Sequence, residues 1–218
     1  MPRAALTVAG LARRGFGLPL LLRAPGFHAG QHFVRVEAAA SLPAAVAALP
    51  GERLLAIEPL AATGADGMAR KCRVMAVGGR LYPLHLAVSP DWKVHYFTAA
   101  MAGSAAFRAE EAAFLADMAG YLGPRACAGL AWVARRLGLD YAGIDFAPGP
   151  GGTVLLFEAN AAMALVPPPP EPMWDYRRPA FARVAAAARA LVLTAAAGRD
   201  HGAGAANSPR SAAWPCAQ

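Results

Sequence analysis

The sequence predicts an α+β chain built on antiparallel strands, and three observations predict it. Two apolar runs, Cys72 to Val77 and Leu81 to Val88, flank a Gly78-Gly79 pair, the composition of a tight hairpin. A second pair of runs, Tyr141 to Phe146 and Thr153 to Glu158, flanks Pro150-Gly151. Between the hairpins the apolar period becomes helical: Phe107, Phe114, Leu115, Met118 and Leu122 fall on one face, and Leu130, Val133 and Leu137 on the next. Hairpins segregated from helices point to α+β.

The remaining elements follow in chain order. Ala4 to Leu11 has helical composition, and the apolar run Leu18 to Leu22, ending at Arg23, reads as a strand. Residues 24–30, with Pro25, Gly26 and Gly30, must then form a loop. Phe33, Val34 and Val36 suggest a second strand, Leu42 to Leu49 a short helix, and Leu54 to Leu60 a third strand. After the second hairpin come Pro167 to Pro170 and a helix from Pro179 to Leu193. Beyond Ala197 the chain has little to bury, and disorder is expected.

The 218 residues, 56% of them hydrophobic and 16% charged, suffice for a genuine core. The formal charge of +7 suits anionic partners, but the basic residues are scattered or paired, as at Arg13-Arg14 and Arg135-Arg136. They form no basic stripe with interleaved aromatics, which argues against nucleic acid. Cys72, Cys127 and Cys216 are odd in number, far apart and without CxxC spacing, which fits a reducing cytoplasm. Arg23 cuts the first apolar run too short for an export signal. Phe181 to Ala197 carries Arg183 and Arg189 and reads as an amphipathic helix, not a membrane span.

The richest segment runs from Tyr141 to Asn160. A turn centred on Pro150-Gly151 pairs Ile144 with Phe157 and Phe146 with Leu155 on an apolar face. The same register sets Asp145 across from Leu156 on the opposite face, with Glu158 its diagonal neighbour and Asn160 next along. Diagonal neighbours lie about 7–8 Å apart, a gap that one or two cations bridge when carboxylates supply the oxygens. A hairpin with a merely solvated polar face is the plainer reading, weakened by how strongly apolar the neighbouring positions are.

At these residues the chain resembles the ATP-grasp superfamily, whose metal-binding strands carry an Asp followed by Glu-x-Asn. The wider resemblance is to glutathione-synthetase-like enzymes and ribosomal-protein glutamate ligases, from about Arg3 to Leu193. It implies two α+β subdomains with antiparallel sheets clamping a nucleotide between them. An N-terminal subdomain would span 1–100, a C-terminal one 101–193 and a disordered tail 194–218. It also implies that Asp145, Glu158 and Asn160 hold Mg2+, with Mn2+ as a substitute, and that ATP is the cofactor.

On the nucleotide side, Leu18 to Arg23 with Gly26, His28 and Gly30 resembles the family's phosphate-facing strand and flexible loop. Arg23 stands where the family usually has lysine, and Arg3 near where it has another. Leu54 to Pro59 resembles the hinge strand, with Glu58 directed at the ribose hydroxyls. Lys71 and Arg73 share one face of the next strand and resemble the cations that meet the transferred phosphate. His85, Trp92, His95 and Tyr96 lie near the mouth of that hairpin, where acceptor substrates often sit in the family.

The activity this resemblance implies is an ATP-dependent carboxylate–amine or carboxylate–thiol ligase acting through an acyl phosphate. Its substrates would be an unspecified acid and an amine or thiol, with a separate N-terminal domain protein as a partner. Nucleotide binding without catalysis, as a regulatory module or partial enzyme, is the alternative. A third reading, an interaction protein using Pro167 to Pro170 as a polyproline ligand, needs no ATP. No membrane partner is expected.

Overall fold

The computed structural model describes residues 1–27, 30–94, 99–199 and 215. His28, His95 and Tyr96, with 200–214 and 216–218 of the expected tail, lie outside the described residues. The chain is α+β with two antiparallel sheets, and it divides into two compact units, Met1–Ala61 and Ala62–Gln218.

The first unit carries a three-stranded sheet of order β2-β1-β3, made of β1 (Leu20–Arg23), β2 (Phe33–Val36) and β3 (Leu55–Ile57). Its helices are α1 (Val8–Ala12) and α2 (Leu42–Ala48). The expected helix over Ala4 to Leu11 is broken into a 3-10 turn and α1, because Thr7 takes an extended conformation and its hydroxyl caps α1 by accepting from Gly10 N. β3 is shorter than expected and stops before Pro59, which has no N–H to continue a ladder. Leu6, Leu11, Leu20, Leu22, Val36, Leu42 and Leu54 form the core of this unit.

The second unit is organised by a four-stranded sheet of order β5-β4-β6-β7. β4 (Ala69–Val77) and β5 (Arg80–Ser89) are the first hairpin, and β6 (Tyr141–Pro148) and β7 (Val154–Asn160) the second. β4 pairs antiparallel with β6, from Cys72 opposite Phe146 to Val77 opposite Tyr141. β4 thus has a hydrogen-bonded neighbour on each edge, β5 and β6, and this pairing joins the two hairpins within the unit Ala62–Gln218.

One face of the sheet, with Val74, Leu86, Ile144 and Phe146, packs on the helices α3 (Ala105–Ala116) and α4 (Met118–Leu137). The helical stripe from Phe107 to Leu122 belongs to two helices, not one. Asp117 adopts a non-helical conformation between them, and its carboxylate accepts from Gly120 N at 2.8 Å to cap α4. A second break falls at Gly123, φ +78°, just before Pro124.

The opposite face is split. Its apolar half, with Met75, Val77, Tyr82, Leu84 and Tyr141, is covered by Met163, Leu165 and the residues Phe181, Val184 and Leu191 of α5 (Arg178–Arg199). Its other half carries the polar side chains described below. α5 runs six residues past Leu193 into the expected tail, where Ala195-Ala196-Ala197 favours helix. The helical run Pro172–Ala197 holds an 18-residue window of mean hydropathy 1.5 and is, by length and composition only, long and apolar enough to cross a membrane.

The register of β6 and β7 departs from the expected one. Ile144 faces Ala159, Asp145 faces Glu158, and Phe146 faces Leu156, so Phe157 is the extra residue of a β-bulge. The cause lies in the connection, where Gly151 and Gly152, both with positive φ, close a longer 3-10 turn over Pro150–Gly152. The expected pairs Ile144–Phe157 and Phe146–Leu155 do not form, and Phe157 is exposed.

Candidate functional site

The site is built on the polar half of the second unit's sheet, where three adjacent strands bring five side chains to one face. Strand alternation places Lys71 and Arg73 on the same side of β4, and the β4–β6 register sets Arg73 opposite Asp145. The bulge at Phe157 then puts Glu158 directly opposite Asp145, with Asn160 opposite Gly143. Direct cross-strand neighbours have Cβ atoms about 4.5–5.5 Å apart, closer than the diagonal spacing expected from the sequence. On the other side of β4, His85 of β5 is the register partner of Arg73. The adjacent bulge accommodates Pro83, which lacks a ladder donor.

Asp145 is the centre of this cluster and has 0% side-chain exposure. Arg73 grips it bidentately, Nε donating to Oδ1 at 2.5 Å and Nη2 to Oδ2 at 2.7 Å. Lys71 Nζ reaches Oδ2 at 2.7 Å. Burial by itself would raise the Asp145 carboxyl, but the Arg73 hydrogen bonds and the two positive charges outweigh it and hold the group below the usual range. Burial, then the charge of Arg73, pushes the His85 imidazole well below its ordinary value.

Glu158 is exposed, and its Oε1 accepts from Asn160 Nδ2 at 2.7 Å. Asn160 Oδ1 in turn accepts from Ala162 N at 2.8 Å, which fixes the amide in a turn after β7. The Tyr141 hydroxyl donates to Met163 O at 2.7 Å and holds the end of that turn against the sheet. Gly143 makes this possible: a Cβ there would meet Met163 Cγ at 2.1 Å.

Oxygen donors such as these suit a hard divalent cation. Of the three side chains expected to hold a metal, Glu158 alone has an oxygen, Oε2, that enters no described hydrogen bond or ion pair. No group of three or more His, Cys, Asp or Glu side chains placed to hold a metal occurs among the described residues.

No protein-family model matches this chain, and no curated protein is significantly similar to it. Solved structures with a similar arrangement include the D-alanine–D-alanine ligase of Coxiella burnetii, 15% identical with a TM-score of 0.42 over 88% of this chain and 50% of that one. The carboxyaminoimidazole ribonucleotide synthase of Aspergillus clavatus, in complex with ATP, is 16% identical with a TM-score of 0.42, covering 72% of this chain and 38% of that one. Biotin carboxylase from Campylobacter jejuni is 10% identical, with a TM-score of 0.38 and coverage of 72% and 35%. The chain thus spans half or less of the length of these proteins.

In the first unit, the cations singled out from the sequence are engaged with backbone carbonyls. Arg3 donates to Leu49 O at 2.7 Å, to Gly51 O at 3.0 Å and to Val46 O, binding the end of α2. Arg23 Nη2 donates to Phe27 O at 2.7 Å, and its guanidinium lies over the Phe33 ring. Gly26 and Gly30 have φ of +85° and +72°, conformations that suit glycine. Glu58 is exposed just after β3.

Sequence reasoning grouped Asp145, Glu158 and Asn160 on one strand face and Lys71 and Arg73 on another, but did not join the two groups. It also missed Glu111, a buried carboxylate on α3 that accepts from Arg177 Nη2 at 2.6 Å and from the Tyr176 hydroxyl at 2.6 Å. The signal was present, because Glu111 lies on the apolar stripe between Phe107 and Phe114.

Proposed function

We propose that this chain binds ATP with magnesium on the polar face of the β4-β6-β7 sheet and acts as an ATP-dependent carboxylate–amine or carboxylate–thiol ligase. The observation that carries this reading is the convergence of Lys71, Arg73, Asp145, Glu158 and Asn160 on one face. Two cations beside exposed carboxylate oxygen are what a metal-bearing polyphosphate requires. The resemblance of the Asp145 and Glu158-x-Asn160 strands to the ATP-grasp pattern adds to it.

In this reading Arg73 and Lys71 are the catalytic cations, meeting the oxygens of the transferred phosphate. An acid substrate's carboxylate oxygen attacks the γ-phosphorus and ADP leaves; an amine or thiol then attacks the acyl carbon and phosphate leaves. Glu158 would hold magnesium carried by the nucleotide, which would supply neutralisation of phosphate charge. The sheet needs no covalent nucleophile, since positioning and charge neutralisation do most of the work of phosphoryl transfer.

A second reading, nucleotide binding without turnover, is favoured by the first unit. Arg3 and Arg23, the two positions where the ATP-grasp pattern usually has lysine, donate to backbone carbonyls, Arg3 to three of them and Arg23 to Phe27 O. Calorimetric titration of ATP in magnesium buffer tests the shared part of both readings. Wild-type protein is expected to bind, and Glu158→Ala to bind at least about tenfold more weakly, as for loss of a metal-site group. Absence of binding by folded wild-type protein would end both readings. Release of ADP on adding candidate acids separates them.

A further inference from the structure

Both oxygens of Asp145 are taken by cations, and that arrangement assigns the residue a different task from the one its motif suggests. We propose that Asp145 is a positioning residue that fixes Lys71 and Arg73, and that it donates no oxygen to a metal. The metal-facing donor of this site is then Glu158 alone. The inference rests on reading this face as the nucleotide's phosphate site.

Four features support it. Arg73 occupies one edge of the carboxylate with two hydrogen bonds, and Lys71 takes the second lone-pair direction of Oδ2. The carboxylate is the buried member of the trio at 0% exposure, while Lys71 and Arg73 keep 20% and 21%. A divalent cation approaching Asp145 therefore meets two positive charges set against one negative, at a carboxylate that has no exposed edge. Glu158, by contrast, is exposed, and its Oε2 enters none of the described hydrogen bonds or ion pairs.

The arrangement also explains how two like charges sit on neighbouring positions of a single strand face. Lys71 and Arg73 would repel each other without a shared counter-ion, and Asp145 supplies it from behind. Asn160 acts on the metal side in a comparable way, since its amide is held by Ala162 N and orients Glu158. Magnesium commonly binds through one or two carboxylates and the phosphates of its substrate, so one protein carboxylate is an adequate ligand set.

Manganese is the probe, titrated without nucleotide and followed by the electron paramagnetic resonance of the free ion. Wild type is expected to bind weakly, Glu158→Gln to lose affinity by about tenfold or more, and Asp145→Asn to change it by less than about threefold. A loss in folded Asp145→Asn as large as that in Glu158→Gln overturns the proposal, as does the absence of any Mn2+ binding by wild type.

A readout that needs no substitution guards against an Asp145 variant that fails to fold. In the side-chain carboxyl 13C spectrum of wild-type protein, Mg2+ is expected to shift the Glu158 resonance and leave that of Asp145 in place. Movement of the Asp145 resonance overturns the proposal. Since no nucleotide is present in either experiment, failure of ATP to bind would sink the functional reading separately and leave these results standing.

Discussion

Arg73→Ala is expected to lower folding stability by roughly 3 kcal/mol, the lower end of the range for removing one partner of a buried ion pair, because Lys71 stays on Asp145. The variant leaves a carboxylate with 0% exposure holding one cation in place of two, and it loses both hydrogen bonds of the fork. Chemical denaturation measures the change. Binding of ATP, followed separately in the folded variant, is expected to weaken as well, because the guanidinium is one of the two phosphate contacts.

The acid limb of the stability curve carries the same information. The Asp145 carboxyl is depressed below its ordinary value of 3.8, so its contribution is present above that pH and is lost as pH falls through the lower, folded value. In Arg73→Ala the depression shrinks and this part of the acid dependence flattens. An unchanged curve would mean that the fork contributes nothing to the native state.

Glu111→Ala is expected to have a larger effect, about 3–5 kcal/mol, since it removes the carboxylate from a wholly buried ion pair. Glu111 Oε2 accepts from Arg177 Nε and Nη2 and from the Tyr176 hydroxyl, and Leu86 N donates to Oε1 at 3.3 Å. One side chain thereby joins α3, strand β5 and the turn that leads into α5. The Arg177 guanidinium keeps its place over the Trp174 ring, 4.0 Å from the centroid, but that contact does not replace a charge. Glu111→Gln, which preserves shape and two acceptor lone pairs, is expected to cost less. Equal losses in the two variants would show that packing, not charge, decides the effect.

Local pattern was enough for the parts of the fold that are local. Gly78-Gly79 between two apolar runs marked the β4–β5 hairpin, and the alternation in Tyr141 to Asn160 put Asp145, Glu158 and Asn160 on one face. The bulge at Phe157 escaped because the apolar residues Leu155, Leu156 and Phe157 run consecutively, so period alone allows more than one register. Asp117 read as part of a helix because its neighbours continue the apolar stripe, whereas its carboxylate caps the helix that follows.

What links distant segments was not visible. Arg73 and Asp145 are 72 residues apart, and Arg177 and Glu111 66 apart. Nothing in the strand pattern says that β4 lies beside β6, which is the pairing that turns two solitary cations and a carboxylate into a site.

The central claim is that Lys71 and Arg73 face the phosphates of a bound nucleotide, and the most direct measurement is an ATP titration of wild-type protein watched at the Arg73 Nε–H resonance. This signal is expected to move in step with saturation, as phosphate oxygens join Asp145 around the guanidinium. Saturable ATP binding that leaves the Arg73 signal and the Lys71 amine unmoved would contradict it and place the nucleotide elsewhere on the chain.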